Sequence, residues 1–284
     1  MKTGFIGLGH LGKTMAKRLL SEGVDLVVWN RTIDKAGDLG CPVADSPAAT
    51  ARTAEVIFLN LFDSKAVQAV LSGPEGLLAG GLKGKIVVDT TTNHFDWVPH
   101  FHKSVADQGG WYLESPVLGS VIPASQGNLT ILVSGDEGAF EKVKGTLEKL
   151  GKTIFYLGEP SVATKMKLAN NLLLGVFMTG IAEAVILGEA AGVDREKVLD
   201  IFAAGGGNSM VLNTKRAKIA KEDFSAHFSS ALIYKDLHYL QDFAREIRRP
   251  LFMGSMAKEL FALTFREGKE GLDFSVVYDV LKKK

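Results

Sequence analysis

Residues 3–32 read TGFIGLGHLGKTMAKRLLSEGVDLVVWNRT, and this stretch decides the fold. A short apolar strand, Gly4 to Leu8, runs into Gly7-Leu8-Gly9-His10-Leu11-Gly12. In that order, Gly7 permits a tight turn, Gly9 lets backbone approach a pyrophosphate, and Gly12 lets the next helix pack close to the strand. The helix directs its free N–H groups and positive dipole end at the phosphates, with Leu8 and Leu11 in the same cofactor loop and His10 contributing its backbone rather than its ring. Met15, Ala16, Leu19 and Leu20 recur at helical spacing behind it, and Gly23 is a stop signal. A second strand, Asp25 to Trp29, ends where an NAD enzyme places an acid on the ribose 2′-hydroxyl. Here Asn30, Arg31 and Thr32 stand instead. An acid would repel a 2′-phosphate, whereas an amide, a guanidinium and a hydroxyl can donate to it, so the expected cofactor is NADP(H). A glycine motif alone could be a ligand-free turn. A strand before it, a helix after it and a polar trio at the right distance make it specific.

The chain has 284 residues, 46% of them hydrophobic, which leaves room for two domains. Lys and Arg number 33 against 32 Asp and Glu, and a net charge of +1 gives no general field for nucleic acid or an anionic membrane. Lys282-Lys283-Lys284 reads as a solvated tail. The single cysteine, Cys41, excludes an internal disulfide and a cysteine-based metal site and fits a reducing cytoplasm. No signal peptide is evident, because the chain enters its first strand almost at once. The most apolar run, Leu172 to Ala182, stops at Glu183 and is expected to be too short for a bilayer. These features predict a soluble cytoplasmic protein without a nucleic-acid or membrane partner.

Outward from the opening segment, apolar strands alternate with helical stretches. Strands are expected at Val56 to Leu61, Ile86 to Asp89, Tyr112 to Glu114, Thr130 to Val133 and Thr153 to Tyr156. Helices are expected at Lys65 to Leu71, Phe95 to Asp107 and Glu137 to Leu150. This is an α/β pattern, a Rossmann-like doubly wound sheet. After Gly158-Glu159-Pro160 the strand signal ends, and Ser161 to Gly192 reads as one helix about 45 Å long. Gly175, Gly180 and Gly188 along it permit close packing and suggest a subunit interface. Further helices are expected at Arg195 to Ala203, Ser209 to Ala220, Ser229 to Ile247, Phe252 to Gly268 and Val276 to Lys282. The predicted domains are therefore 1–160, the cofactor domain, and 161–284, an all-α C-terminal domain for substrate and for homodimer or homotetramer formation.

The long helix carries Lys167, Asn170 and Asn171. Lys167 and Asn171 are four residues apart and share a face, so the amide can orient the ammonium or hold a substrate oxygen beside it. Apolar neighbours would lower the lysine pKa toward a range useful for proton transfer. Read alone, the segment leaves open a solvated lysine on a linking helix. His94, His100 and His102 lie close in sequence, but no cysteine or spaced carboxylate set completes a metal site, and a solvent-facing helix start is expected.

Gly7-x-Gly9-x-x-Gly12, Asn30-Arg31-Thr32, the segment from Pro116 to Ala124 with Gly127-Asn128-Leu129, and Lys167-x-x-Asn170-Asn171 together resemble the β-hydroxyacid dehydrogenase family. Gly119-Ser120-x-x-Pro123-Ala124, Phe155 to Gly158, Lys165 to Leu168 and Leu272 to Ser275 most resemble its glyoxylate and succinic-semialdehyde reductase branch. The resemblance implies that Lys167 is the catalytic lysine and Asn171 its supporting amide. Asp89-Thr90-Thr91-Thr92 matches a family motif that places Thr92 near the nicotinamide ribose. Leu61 and Phe62 either line the cofactor or pack in the core. Lys235-Asp236 matches a family pair in which Lys235 reaches the cofactor and Asp236 braces the site, with Phe228 one helical stretch earlier; without the family it reads as a surface charge pair. Leu118, Gly119 and Ser120 are implied to hold the substrate carboxylate. The family has serine where this chain has Leu118, which implies either that Ser120 and backbone amides suffice or that the acceptor is less polar. The implied activity is NADPH-dependent reduction of a small carbonyl compound to a hydroxy acid. An imine reductase and a non-catalytic NADP-binding scaffold are the alternatives; Lys167 speaks against the first, which Leu118 keeps open, and Lys167 with Asn171 speaks against the second.

Overall fold

A computed structural model describes residues 2–283, which form two compact units, one running to Lys167 and the other beginning at Leu168. The division falls inside the long helix, seven residues beyond the expected domain start at 161. In the first unit the opening segment forms β1 (Thr3–Ile6), α1 (His10–Ser21) and β2 (Leu26–Trp29). Then come α2 (Pro47–Thr53), β3 (Val56–Leu59), α3 (Ser64–Ser72), α4 (Leu77–Gly80), β4 (Ile86–Asp89) and α5 (Val98–Ala106). The unit continues through β5 (Trp111–Glu114), β6 (Val117–Leu118), α6 (Val121–Ser125), β7 (Thr130–Gly135), α7 (Glu137–Leu147) and β8 (Thr153–Tyr156). It ends in the first turns of α8 (Val162–Ala190).

Strands β2, β1, β3, β4 and β5 lie side by side in that order and are all parallel. Parallel strands covered on both faces must be apolar at every position, which is why they read as short unbroken runs. Side chains then alternate between two layers. Phe5, Phe58, Val88 and Leu113 join Met15 and Leu19 of α1 and Val143 of α7 in one core. Ile6, Ile57, Leu59 and Val87 join Val67, Leu71 and Phe101 in the other. The sheet turns mixed at β7, antiparallel to β5 and β6 and parallel to β8. Pairing of β5 and β6 with β7 keeps one register: Glu114 opposes Ser134, and Val117 opposes Ile131. The gap is Ser115-Pro116, where proline has no N–H for the ladder, although its carbonyl still accepts from the Leu132 amide at 3.0 Å.

Local chemistry explains where the elements differ from expectation. The first strand stops at Ile6 because Gly7 takes φ +100°, so Leu8 belongs to the turn. The helix expected from Phe95 starts only at Val98, with Pro99 in its first turn, a position that needs no N–H partner within the helix. Four short elements, α2, α4, β6 and α6, were hidden by their brevity. Of these α2 carries a local signal, Ser46 accepting from the Ala49 amide with Pro47 in the first turn.

The second unit holds the rest of α8 with α9 (Arg195–Ala204), α10 (Met210–Lys221), α11 (Ser230–Glu246), α12 (Phe252–Arg266) and α13 (Val277–Lys282). Met178, Ile181, Ala182 and Val185 of α8 pack with Val198, Leu212, Leu237, Phe261 and Tyr278. A Cβ at Gly175 would lie 2.9 Å from Leu237 and one at Gly188 2.7 Å from Val198, so these two glycines permit close approach. By length and composition α8, at 29 residues, could cross a membrane. The helix is longer than the uninterrupted apolar run Leu172 to Ala182, and in this unit the buried side of α8 forms the core. Of the terminal lysines, Lys282 and Lys283 are exposed and pair with Glu222 at 3.2 Å and Asp279 at 3.3 Å, and Lys284 lies outside the described residues.

A buried carboxylate ties the end of this unit together. Asp273 is fully buried; its Oδ2 accepts from Lys215 Nζ at 2.8 Å and from the amides of His227 and Phe228 at 3.1 and 3.2 Å, and its Oδ1 from Ser275. Burial raises its pKa, but the Lys215 charge and these donors more than offset that and leave it below the usual carboxylate range. Asp273→Ala should lower stability by about 3–5 kcal/mol, because it strands a buried ammonium. Replacing both partners with apolar residues should cost much less. Urea unfolding of the single and double variants checks this, and equal losses would contradict it.

Candidate active site

The phosphate loop is built by close contacts that only glycine allows. A Cβ on Gly12 would stand 2.1 Å from the Gly7 carbonyl oxygen, and one on Gly7 2.2 Å from the Asn60 carbonyl oxygen. Gly9 differs: a Cβ there meets nothing within 4 Å. That open space lies at the start of α1, whose N-cap is Gly9, whose first turn has no acid and whose amides receive no side-chain cap. These features fit a pyrophosphate. His10 is exposed in the same turn, Leu11 half-buried and Leu8 buried.

The selectivity segment divides its labour differently from expectation. Asn30 Oδ1 accepts from the Leu8 amide at 2.8 Å, and its Nδ2 donates to the Thr32 carbonyl at 2.8 Å. Its amide therefore joins the phosphate loop to the turn after β2. Arg31 and Thr32 are exposed.

At the ends of β3 and β4 a second loop is held by buried polar groups. Asp89 accepts from the Thr91 amide at 2.9 Å, from Asn93 Nδ2 at 2.7 Å and from the Tyr112 hydroxyl. Burial pushes its carboxyl up, and these donors act against that. Asn60 donates to the Thr90 hydroxyl at 2.9 Å, and the Leu61 amide donates to Thr91 Oγ1 at 2.9 Å. Thr92, half-buried, is thereby presented from a braced loop. Phe62 is 52% exposed, which excludes core packing for that side chain, whereas Leu61 packs at the edge of the core.

Lys167 is 7% exposed, and its Nζ donates to the Val117 carbonyl at 2.8 Å. The solvated-lysine reading is thus excluded. Val117 opens the segment that leads into α6: Leu118 pairs with Thr130, Gly119 turns the chain at φ +121°, and Ser120 is the N-cap of α6. The first unit therefore brings Lys167 beside residues 117–120.

The second unit gathers another group. Asn171 is fully buried, and its Nδ2 donates to Asp236 Oδ2 at 2.6 Å. Lys235 Nζ stands 2.8 Å from Asp236 Oδ1 and 4.7 Å from the centre of the Tyr239 ring. Lys235-Asp236 is therefore not a surface pair, because Asp236 is buried and Lys235 largely covered. The Asn171 amide thus donates to this aspartate, and its Oδ1 accepts from Asn170 Nδ2 at 3.2 Å. Phe228 is positioned by other means, its amide on Asp273 and its ring edge-on to Phe274 at 5.7 Å.

Of the three histidines, His100 is exposed as expected. His102 is not solvent-facing: its ring lies edge-on to Tyr112 at 4.9 Å, and burial depresses its imidazole to about 4. The His94 amide donates to Ser64 Oγ at 2.8 Å. Among the described residues, no three His, Cys, Asp or Glu are arranged to hold a metal. Sequence reasoning missed Glu114, the bracing role of Asp89, and the Lys215–Asp273 pair. The available signal was an acid closing an apolar strand, as in Ile86-Val87-Val88-Asp89 and Trp111-Tyr112-Leu113-Glu114.

Comparison with known proteins agrees with this geometry. A family model for the NAD binding domain of 6-phosphogluconate dehydrogenase matches residues 2–158, and one for the NAD-binding of NADP-dependent 3-hydroxyisobutyrate dehydrogenase matches residues 162–281. The cytokine-like nuclear factor N-PAC of Mus musculus is 34% identical over 277 residues, covering 98% of this chain and 50% of that protein. The chain spans about half the length of the N-PAC relatives it matches. Glyoxylate/succinic semialdehyde reductase 2, chloroplastic, of Arabidopsis thaliana is 31% identical over 282 residues, covering 98% of this chain and 79% of that one. A solved structure of Psf3 in complex with NADP+ and 2-OPP has a TM-score of 0.92 at 31% identity and covers 98% of this chain and 99% of its own. The chain belongs to the family of NAD(P)-dependent β-hydroxyacid dehydrogenases.

The open space at Gly9 gives a direct test of the cofactor loop. Gly9→Val should fold with an unchanged thermal midpoint yet bind NADPH at least about tenfold more weakly, a loss of roughly 1.4 kcal/mol. Fluorescence titration measures this, and undiminished affinity would move the pyrophosphate elsewhere.

Proposed function

We propose that the chain is an NADPH-dependent reductase of a small aldehyde acid, of the glyoxylate or succinic-semialdehyde kind, with Lys167 as proton donor. The observation that carries this is the Lys167 ammonium, buried and bonded beside the segment at 117–120. When bound, the nicotinamide supplies a hydride to the carbonyl carbon. Lys167 then gives a proton to the oxygen on which negative charge develops, and in the reverse direction the neutral amine takes it back. Ser120 and neighbouring backbone amides hold the substrate carboxylate, Leu118 limits how polar the rest of the acceptor can be, and Phe228 offers an apolar wall. Asn171, fixed by Asp236, holds a substrate oxygen, and Lys235 reaches the cofactor. Arg31 and Thr32 select the 2′-phosphate, and Thr92 meets the nicotinamide ribose with Leu61 and Phe62 at its side.

Exposed apolar side chains support assembly through the helical unit. Leu173, Phe177 and Leu187 stand out from α8, and Phe252, Met253 and Met256 from α12. We read these as the faces of a homodimer or homotetramer. The lone Cys41 and the near-zero net charge support a cytoplasmic enzyme that binds neither nucleic acid nor membrane.

NADPH oxidation, followed with short aldehyde acids, their uncharged analogues and cyclic imines, and with NADH in parallel, tests the reading. Turnover should be confined to aldehyde acids with NADPH. Lys167→Ala should lower kcat by about 10²–10⁴-fold while NADPH still binds. Wild-type turnover in that variant would remove the lysine from its role, and preference for NADH would remove the selectivity argument.

A further inference from the structure

The first turn of α8 is held by side chains of the sheet rather than by its own cap. Ser161, which precedes the helix at φ +73°, spends its hydroxyl on the Phe95 carbonyl at 3.0 Å. The Ala163 amide instead donates to Ser134 Oγ at 3.1 Å, and the Thr164 amide donates to Glu114 Oε2 at 3.3 Å. The Thr164 hydroxyl donates to the same carboxyl oxygen. Glu114 and Ser134 face each other in the register of β5 and β7, so one rung of the sheet meets two successive amides of the helix. Three residues on, Lys167 binds the carbonyl of Val117, which itself lies three residues beyond Glu114. Residues three apart share a helix face. The segment 114–117 therefore grips α8 at two points one turn apart, first at Thr164 and then at Lys167.

We propose that Glu114 is a positioning residue for Lys167: its carboxyl fixes the first turn of α8 and so sets where the Lys167 ammonium stands. Glu114 is 1% exposed and lies in register beside the buried Asp89, an unfavourable place for an acid. Burial pushes its carboxyl up to about 7, against the Thr164 donors and the nearby Ser161 and Ala163 amides. Any apolar residue there would leave the Thr164 amide and hydroxyl without their acceptor, whereas glutamine keeps an acceptor oxygen in the same place. What the site requires is an acceptor at that point.

The proposal rests on Lys167 as proton donor and is tested in the full chain with Glu114→Ala, Glu114→Gln and Thr164→Val, alongside Lys167→Ala. Glu114→Ala should lower kcat by about ten- to a hundredfold, as expected for a misplaced proton donor, with NADPH affinity unchanged. Its alkaline limb in the kcat profile should move, because the ammonium loses its fixed place on the Val117 carbonyl. Glu114→Gln should restore most of the rate. Thr164→Val removes only the hydroxyl half of the grip and should give a smaller loss with the same movement of the limb, which keeps the test open if the alanine variant does not fold. Wild-type kcat and pH profile in Glu114→Ala or Thr164→Val, or no rescue by glutamine, would overturn the proposal while Lys167→Ala is inactive. An active Lys167→Ala would instead place the failure in the assignment of the lysine.

Discussion

Every α-helix begins with N–H groups that have no acceptor within the helix, and the way this chain meets that constraint at two helices organises its chemistry. At α1 the groups are left open: Gly9 provides no side chain, no acid stands in the first turn, and the space before it is empty of protein atoms. Such an end attracts an anion, and the turn at Gly7 with the close contact at Gly12 keeps it in register with the sheet. At α8 the groups are closed by Ser134 and Glu114. One helix is thereby prepared for a ligand and the other anchored as a mount for Lys167.

Both devices depend on polar residues at the ends of apolar strands. The strand β4 is buried along its length and β5 from Tyr112 on, and each finishes in a carboxyl, Asp89 and Glu114, that turns toward the next loop or helix rather than toward solvent. Asp89 braces residues 91 and 93, and Glu114 braces residue 164. In the second unit Asp273 does the same for residues 227 and 228. In each case a buried acid is held by several donors at once, which fixes the loop or helix turn that supplies them. In the same way Asn30 ties together two turns of the cofactor loop.

Much of this was legible in the sequence because the signals are local. Glycine spacing between a strand and a helix, apolar runs of four and the loss of strand period after Pro160 each report on neighbours in sequence, and they gave the α/β sheet followed by helices. Residues whose role depends on distant partners were not legible. Glu114 meets a threonine fifty positions away, and Lys215 meets Asp273 across 58 positions. Asn171 was recognised by its place on the helix, but its partner Asp236 is 65 residues on, and no helical spacing could have indicated it. The histidines show the converse: close spacing suggested a surface cluster, while packing against Tyr112 buries His102.

The central claim is that Lys167, carried by an anchored helix, serves the substrate oxygen. A crystal structure of the chain with NADP+ and a small hydroxy acid tests it most directly. The account predicts the Lys167 Nζ within about 2.6–3.2 Å of the substrate hydroxyl oxygen, with the Glu114–Thr164 contact intact. A bound hydroxy acid whose hydroxyl is met by another side chain, with Lys167 still turned to the Val117 carbonyl, would contradict it.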